Sequence, residues 1–250
     1  MTRFISILMM LMLMSCYSIV SEFGENEEIL SYTYYMNEGW EAFESINLLD
    51  SEASVNHIEQ YDLALKMFNI AIQAIDLEYS NQDMLGPYYK AYNGIGWSQL
   101  YYANEFMNSS VHNIRDSLRN EAVLSFDLAL SDLEMAEVDS VSSNDRCDIF
   151  LGYSYANYYK GLIEDSIYFD LTLHYSDLLL SEKSNYNFAH AQLSYLNVHY
   201  LRGKVYLGRQ EYDAAYNEVK KIVNNCDPYV DDEIDINLLF NCFDQFINEN

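Results

Sequence analysis

Apolar residues recur at spacings of three and four along most of the chain from about residue 31 onward, which is the period of amphipathic helices rather than half-buried strands. No Asn-Gly or Asp-Gly pair stands between alternating runs, so long helices joined by polar turns are predicted and hairpins are not. Two N-terminal stretches break the pattern. Residues 4–14 are an apolar run, interrupted only by Ser6, behind a single cation, Arg3, and ahead of Ser15-Cys16; the run is about half the roughly 20 residues a membrane span requires. Residues 17–30 (YSIVSEFGENEEIL) have no apolar period and carry Glu22, Glu25, Glu27 and Glu28 around Gly24. At the other end, Ile234, Leu238, Leu239, Phe243, Phe246 and Ile247 share one face of a helix predicted over 231–250. Its acidic start, Asp231-Asp232-Glu233, suits the positive end of a helix dipole.

Between these ends one pattern recurs. A glycine sits inside an aromatic-rich helical stretch four times: Gly39 with Trp40 and Phe43, Gly96 with Trp97 and Leu100, Gly152 with Tyr153 and Tyr155, and Gly203 with Tyr206. A second stretch follows each: Ala64, Phe68 and Ala71; Ala122, Phe126 and Ala129; a weaker version with Phe169 and Thr172; and Ala215, Val219 and Ile222. Glycine costs about 1 kcal/mol against alanine in a helix interior, so four at equivalent places point to close contact between helices.

These paired motifs resemble the tetratricopeptide repeat over about residues 31–228. The last unit fits best, with Gly203, Tyr206, Tyr212, Ala215, Val219 and Ile222 at the family's spacing and a tight turn at 207–211. The resemblance implies an all-α fold: a right-handed solenoid of about four helical hairpins, with the 231–250 helix as a C-terminal cap. The repeats are stretched beyond the family's usual length. The excess falls at 47–60 and 104–117, which can hold extra helix or a long loop, and at 76–87, 130–146 and 175–186, where longer second helices are expected. The resemblance further implies a concave face built by the first helices. It places Met36, Trp40, Phe43, Asn93, Trp97, Leu100, Tyr101, Ile149, Tyr153, Asn157, Tyr200 and Lys204 on that face as partner-binding candidates. Trp40 and Trp97, each directly after its glycine, either line the groove or pack between repeats.

Leu13-Met14-Ser15-Cys16 resembles the bacterial lipobox, which directs lipidation of the cysteine and cleavage before it. The resemblance implies a signal peptide over 1–15, a lipidated Cys16 heading a tether over 16–30, and a helical-repeat domain over 31–250. An ordinary signal peptide cut elsewhere and a buried N-terminal helix are the alternatives. Attached acyl chains partition at about 0.8 kcal/mol per CH₂ and hold a protein on a membrane without a span.

Composition narrows the partners. The chain has 250 residues, 13 Lys+Arg against 39 Asp+Glu, and a formal charge of −26. With 15% aromatic residues it is not a disordered acidic tail. The charge excludes nucleic acid, whose phosphates need a cationic face, and disfavours docking on anionic lipid. Of the remaining cysteines, Cys147, Cys226 and Cys242, one pair can close in an oxidising compartment, and all three also suit small core positions.

No catalytic or metal-ligating constellation is legible, and no cofactor is expected. There is no H-E-x-x-H, G-x-S-x-G or P-loop. His57, His112, His174, His190 and His199 are scattered, with His190 and His199 placed on one long helix. Gly94-Ile95-Gly96 lies in a helical pattern with Gln99 where a dinucleotide fingerprint needs its third glycine. Asp231, Glu233, Asp235 and Asn237 alternate like calcium ligands but lack the sharp-turn glycine. The chain therefore reads as a non-catalytic, membrane-anchored scaffold of the bacterial cell envelope, on its periplasmic or surface side. Its partner is a polypeptide with a basic or neutral face. The alternative is a surface lipoprotein that stacks a carbohydrate or other small ligand on an aromatic groove.

Overall fold

The structure is a computed structural model that describes residues 30–46, 54–80, 86–106, 112–136 and 141–249. The lipobox, Cys16 and all of the tether but its last residue lie outside the described residues. The described residues form nine helices: α1 (Tyr32–Ile46), α2 (Ser54–Tyr79), α3 (Tyr88–Glu105), α4 (His112–Met135), α5 (Ser143–Gly161), α6 (Ile167–Glu182), α7 (Tyr195–Gly208), α8 (Tyr212–Val219) and α9 (Ile236–Glu249). The only strands among the described residues are β1 (Tyr229–Val230) and β2 (Glu233–Ile234). The described residues are all-α apart from this ribbon. No described helix is long and apolar enough to cross a membrane.

Helices pack as pairs in chain order: α1 with α2, α3 with α4, α5 with α6 and α7 with α8. Each pair rests on the next, and the first helices of successive pairs also touch. The joint is a phenylalanine wedge. Phe68 of α2 is fully buried, and a Cβ at either Gly39 of α1 or Gly94 of α3 would come within 2.7 Å of its ring. Phe126 of α4 repeats this between Gly96 of α3 and Gly152 of α5. Phe169 of α6 does so between Gly161 at the end of α5 and, more loosely, Gly208 of α7. At every one of these positions but Gly208, where a Cβ would stand 3.9 Å from Phe169, glycine is required because the ring occupies the space a side chain would fill. Each wedge removes an aromatic ring from water, a gain of about 1.5–3 kcal/mol. The alanines around the wedges, Ala64, Ala71, Ala122 and Ala129, are all 0% exposed, which lets the paired helices approach.

Gly94 and Gly96 thus serve different phenylalanines on two sides of α3. In α5 the glycine for the preceding wedge persists as Gly152 and Ser154 stands two residues on, while the pair's own Phe169 sits at Gly161, at the helix end. Small hydroxyl side chains fill this pair: Thr172 Oγ1 donates to the Ser154 (3.2 Å) and Tyr168 (2.9 Å) carbonyls, and Ser176 to the Thr172 carbonyl at 2.7 Å. These buried polar groups are satisfied without lengthening the contact.

The second helices of the first two pairs are long, 26 and 24 residues, with 54–60 and 112–117 as their N-terminal turns; α6 has 16 residues and α8 only 8. Three expectations fail at the C-terminal end. Ile222 lies in a turn beyond α8. Residues 231–235 do not open a helix: Tyr229 pairs with Ile234 and Val230 with Glu233, across a two-residue turn in which Asp231 (φ 52°) and Asp232 (φ 67°) take the left-handed conformation that primed hairpin turns require. The cap of α9 is Asp235, whose Oδ1 accepts from the Asn237 (2.8 Å) and Leu238 (3.2 Å) amides. Finally, His190 lies in the segment before α7 rather than on a helix shared with His199.

α9 does pack on the last pair. Its Phe243 occupies the notch at Gly203, 2.6 Å from where a Cβ would stand, in the place the other pairs give to a second-helix phenylalanine. A disulfide, Cys226–Cys242, joins α9 to the chain after α8, while Cys147 is buried and free.

The last pair also buries an ion cluster. Glu218 of α8 meets His199 Nδ1 at 2.6 Å, Arg202 Nε at 3.2 Å and Lys221 Nζ at 3.1 Å, and Arg202 also pairs with Asp177 of α6. Burial alone would raise the Glu218 carboxyl. The His199 hydrogen bond, Arg202 and Lys221 outweigh it and hold the group down at about 2, against an ordinary 4.5. Since the folded value lies below the unfolded one, this stabilisation is complete above pH 4.5 and lost as the pH falls through about 2. A Glu218→Gln variant is expected to be less stable by about 3 kcal/mol at pH 7. Urea denaturation should show that gap closing toward pH 2; a gap independent of pH would remove the carboxylate from the explanation.

Candidate functional site

α1, α3 and α5 present one common face, and the chain itself covers most of it. After α6 the backbone turns across these helices through residues 183–194. The crossing is pinned by hydrogen bonds from the Phe188 amide to the Leu193 carbonyl and from the Tyr195 amide to the Tyr186 carbonyl, each 2.8 Å, and by an isolated bridge between Asn187 and Ser194. Ser194 then caps α7 in a capping box with Asn197.

Three aromatic side chains anchor the crossing. Tyr186 is fully buried and its hydroxyl donates to Asp148 of α5. Phe188 stacks on Trp97 with ring centroids 4.5 Å apart and meets Trp40 edge-on at 6.1 Å. His190 lies flat on Trp40, 3.8 Å away and 4° from parallel, with Nδ1 at 2.6 Å from Glu44. Trp97 donates its indole N–H to the Asp148 carbonyl at 3.3 Å and is 0% exposed.

The twelve residues placed on a concave face therefore meet different fates. Phe43, Leu100, Trp97 and Ile149 are buried in the core. Trp40 is half-buried under His190. Met36, Asn93 and Tyr101 line what remains open. Lys204 is half-buried, and Tyr200 stacks on Phe246 of α9 at 5.2 Å. Tyr153 and Asn157 are not on this face. The Tyr153 hydroxyl donates to Asp127 of α4 and its ring packs on Tyr175 of α6 at 4.6 Å; Asn157 is 0% exposed, bonded to the Tyr153 carbonyl. The register slips by two because Gly152 serves the preceding wedge, as Gly94 does. The counterparts of Trp97 and Tyr101 in α5 are Tyr155 and Tyr159, which sequence reasoning missed. The relevant spacing is from Gly96 to Ser154, not to Gly152.

Two clefts flank the crossing segment. One, of about 200 Å³, is walled by Tyr101, Tyr155, Tyr159, Leu193 and the edge of Trp97. Burial raises the hydroxyl pKa of all three tyrosines, most strongly at Tyr155. The other, of about 270 Å³, opens between α1, α3 and α5 and is polar. Asn37, Asn93, Lys90, Asp145 and Asp148 line it together with Trp40, His190 and Met36. Lys90 Nζ stands 3.7 Å from Asp145. Burial pushes the Asp148 carboxyl up to about 7, against the pull of the Tyr186 hydrogen bond. Asn93 is 5% exposed, and its Oδ1 is buried without a hydrogen-bond partner.

No nucleophile–base pair is among the groups of either cleft, and no three His, Cys, Asp or Glu side chains among the described residues converge on a metal position. What the polar cleft offers is recognition: one unmatched acceptor, one perturbed carboxylate and an aromatic wall. Comparison with protein-family models, with curated proteins and with solved structures finds no match to this chain.

Proposed function

We propose that this chain is a lipid-anchored, non-catalytic binding scaffold of the bacterial cell envelope, a stretched tetratricopeptide-like stack that holds a polypeptide partner with a basic or neutral face. Support for the stack comes from the wedge that repeats at successive pairs and from first helices sharing one face. The Cys226–Cys242 disulfide suits an oxidising compartment outside the cytoplasm. The observation that carries the binding reading is the acceptor-rich cleft on that face, in a chain of net charge −26. Residues 183–194 occupy the middle of the face, so recognition works through the flanking clefts rather than along a continuous groove.

Capture from detergent-solubilised envelope with the full chain as bait, followed by mass spectrometry, tests the reading. One dominant polypeptide is expected, released progressively between low salt and about 0.5 M as exposed charges are screened. Recovery of no specific polypeptide, or retention independent of salt, would argue against it. Anchoring is tested separately: radiolabelled palmitate should attach to the chain and be lost in Cys16→Ser. The second reading, a carbohydrate ligand, draws on Asn37, Asn93 and Asp145 standing beside Trp40, groups that hydrogen-bond and stack on sugars; a positive glycan array would favour it.

A further inference from the structure

We propose that the cleft between α1, α3 and α5 is a site for a single guanidinium or primary ammonium group, seated against Trp40 and hydrogen-bonded by Asn93 and Asp148. The inference deepens the binding reading above and rests on it only for the source of that group, a basic side chain of a polypeptide.

The argument begins with what the cleft leaves unmatched. A buried acceptor without a donor costs about 1–3 kcal/mol, and folded proteins keep few of them. Asn93 sits in the wall of the cleft with such an acceptor. Asp148, in the same wall, is a carboxylate with a single hydrogen-bond donor among the described residues. The Tyr186 hydroxyl donates to it, and the charge that favours its ionised form, Lys183, acts on it without an ion pair among the described residues. Both groups call for N–H or O–H donors from an occupant, and the carboxylates call for positive charge. Glu44, held on His190 at the rim, adds to that field.

Size and walls narrow the occupant further. At about 270 Å³ the cleft is smaller than the sites that enclose drug-sized ligands, and suits one side-chain head. Trp40 and Met36 provide the apolar and aromatic surface on which a weakly hydrated cation, guanidinium above all, packs well. An anionic group would face Asp145 and Asp148; an apolar one would leave Asn93 unmatched.

The test uses the full chain in detergent, ¹⁵N-labelled, titrated with Nα-acetyl-argininamide, Nα-acetyl-lysinamide and agmatine. Nα-acetyl-citrullinamide serves as the uncharged isostere. The cationic probes should shift the Asn93 side-chain amide and Trp40 indole signals, with citrulline at least tenfold weaker. Asn37→Arg, an exposed position on the rim, should abolish binding by placing a cation in the cleft without touching the core. Asn93→Ala should weaken it at least fivefold. Equal binding of citrulline, no shift with any cationic probe, or full binding in a folded Asn37→Arg variant would overturn the site. A captured polypeptide whose binding survives Asn37→Arg would overturn this site while leaving the scaffold reading intact. If agmatine binds as well as the arginine derivative and no polypeptide is captured, the site stands with a free amine as its ligand, and the polypeptide reading falls.

Discussion

Replacing Phe126 by alanine is expected to lower unfolding stability by about 3–5 kcal/mol, a large share of the 5–15 kcal/mol typical of a folded domain. The ring is 0% exposed and fills the notches of Gly96 on α3 and Gly152 on α5 at once, so its removal leaves a void at the joint between two helix pairs. The partner substitution makes the argument specific. Alanine in place of a helical glycine ordinarily gains about 1 kcal/mol, but at Gly152 the new Cβ would stand 2.2 Å from the Phe126 ring and 3.0 Å from Trp97. Gly152→Ala should therefore destabilise the parent chain by about 1–3 kcal/mol. In the Phe126→Ala background, where only the Trp97 contact remains, its cost should shrink markedly. Urea denaturation of the four proteins of this cycle measures the coupling directly. Leu124→Ala on the same helix, where the side chain is 61% exposed, should stay within about 0.5 kcal/mol. Additive single effects would mean that the phenylalanine is not wedged between the glycines.

Phe188→Ala should cost a comparable amount, about 3–5 kcal/mol, although the residue lies in a segment without helix or strand. Phe188 is 4% exposed and touches Trp97, Trp40 and His190, so it joins the aromatic layer of α1 to that of α3. Its loss should also open the face beneath it, seen as a red shift of tryptophan emission and faster amide exchange through 186–194. Tyr186→Phe offers a graded comparison: the ring remains and only the bond to Asp148 is removed, a loss of about 1–3 kcal/mol as Asp148 is left under-satisfied. If Phe188→Ala were neutral, residues 183–194 would be an appendage and the shared face a true groove.

Much of this architecture is written in the sequence because close packing demands particular residue types. Only glycine tolerates the ring of Phe68 or Phe126 at contact distance, so Gly39, Gly96 and their alanine-flanked phenylalanines stand out at matching offsets. The same physics misled at Gly152. A glycine marks a close approach but not which neighbour approaches: in α5 the position equivalent to Gly96 is Ser154, packed against Thr172 and Ser176, so spacing from Gly152 puts Tyr153 and Asn157 on the wrong side of the helix. The cap was found through its apolar face, but not where it starts, because aspartates serve equally as first-turn residues and in the left-handed turn that Asp231 and Asp232 make. Residues 183–194 left the weakest trace. Tyr186, Phe188, His190 and Leu193 have no helical period, and their aromatic content acquires meaning only from the two tryptophans they cover, which are distant in sequence. The polar cleft is half legible: Trp40, Met36 and Asn93 fall at the expected offsets, whereas Asp148 comes from the first turns of α5 outside them and His190 from the crossing segment.

The central claim is that the common face of α1, α3 and α5 is closed in its middle by the chain's own residues 183–194, leaving recognition to the flanking clefts. Acrylamide quenching of Trp97 emission in a Trp40→Phe background measures this most directly, since these are the chain's two tryptophans. A closed face gives blue-shifted, weakly quenched emission that is unchanged by a bound partner. Red-shifted emission, freely quenched in the unbound protein and protected when a partner binds, would contradict it and restore an open groove.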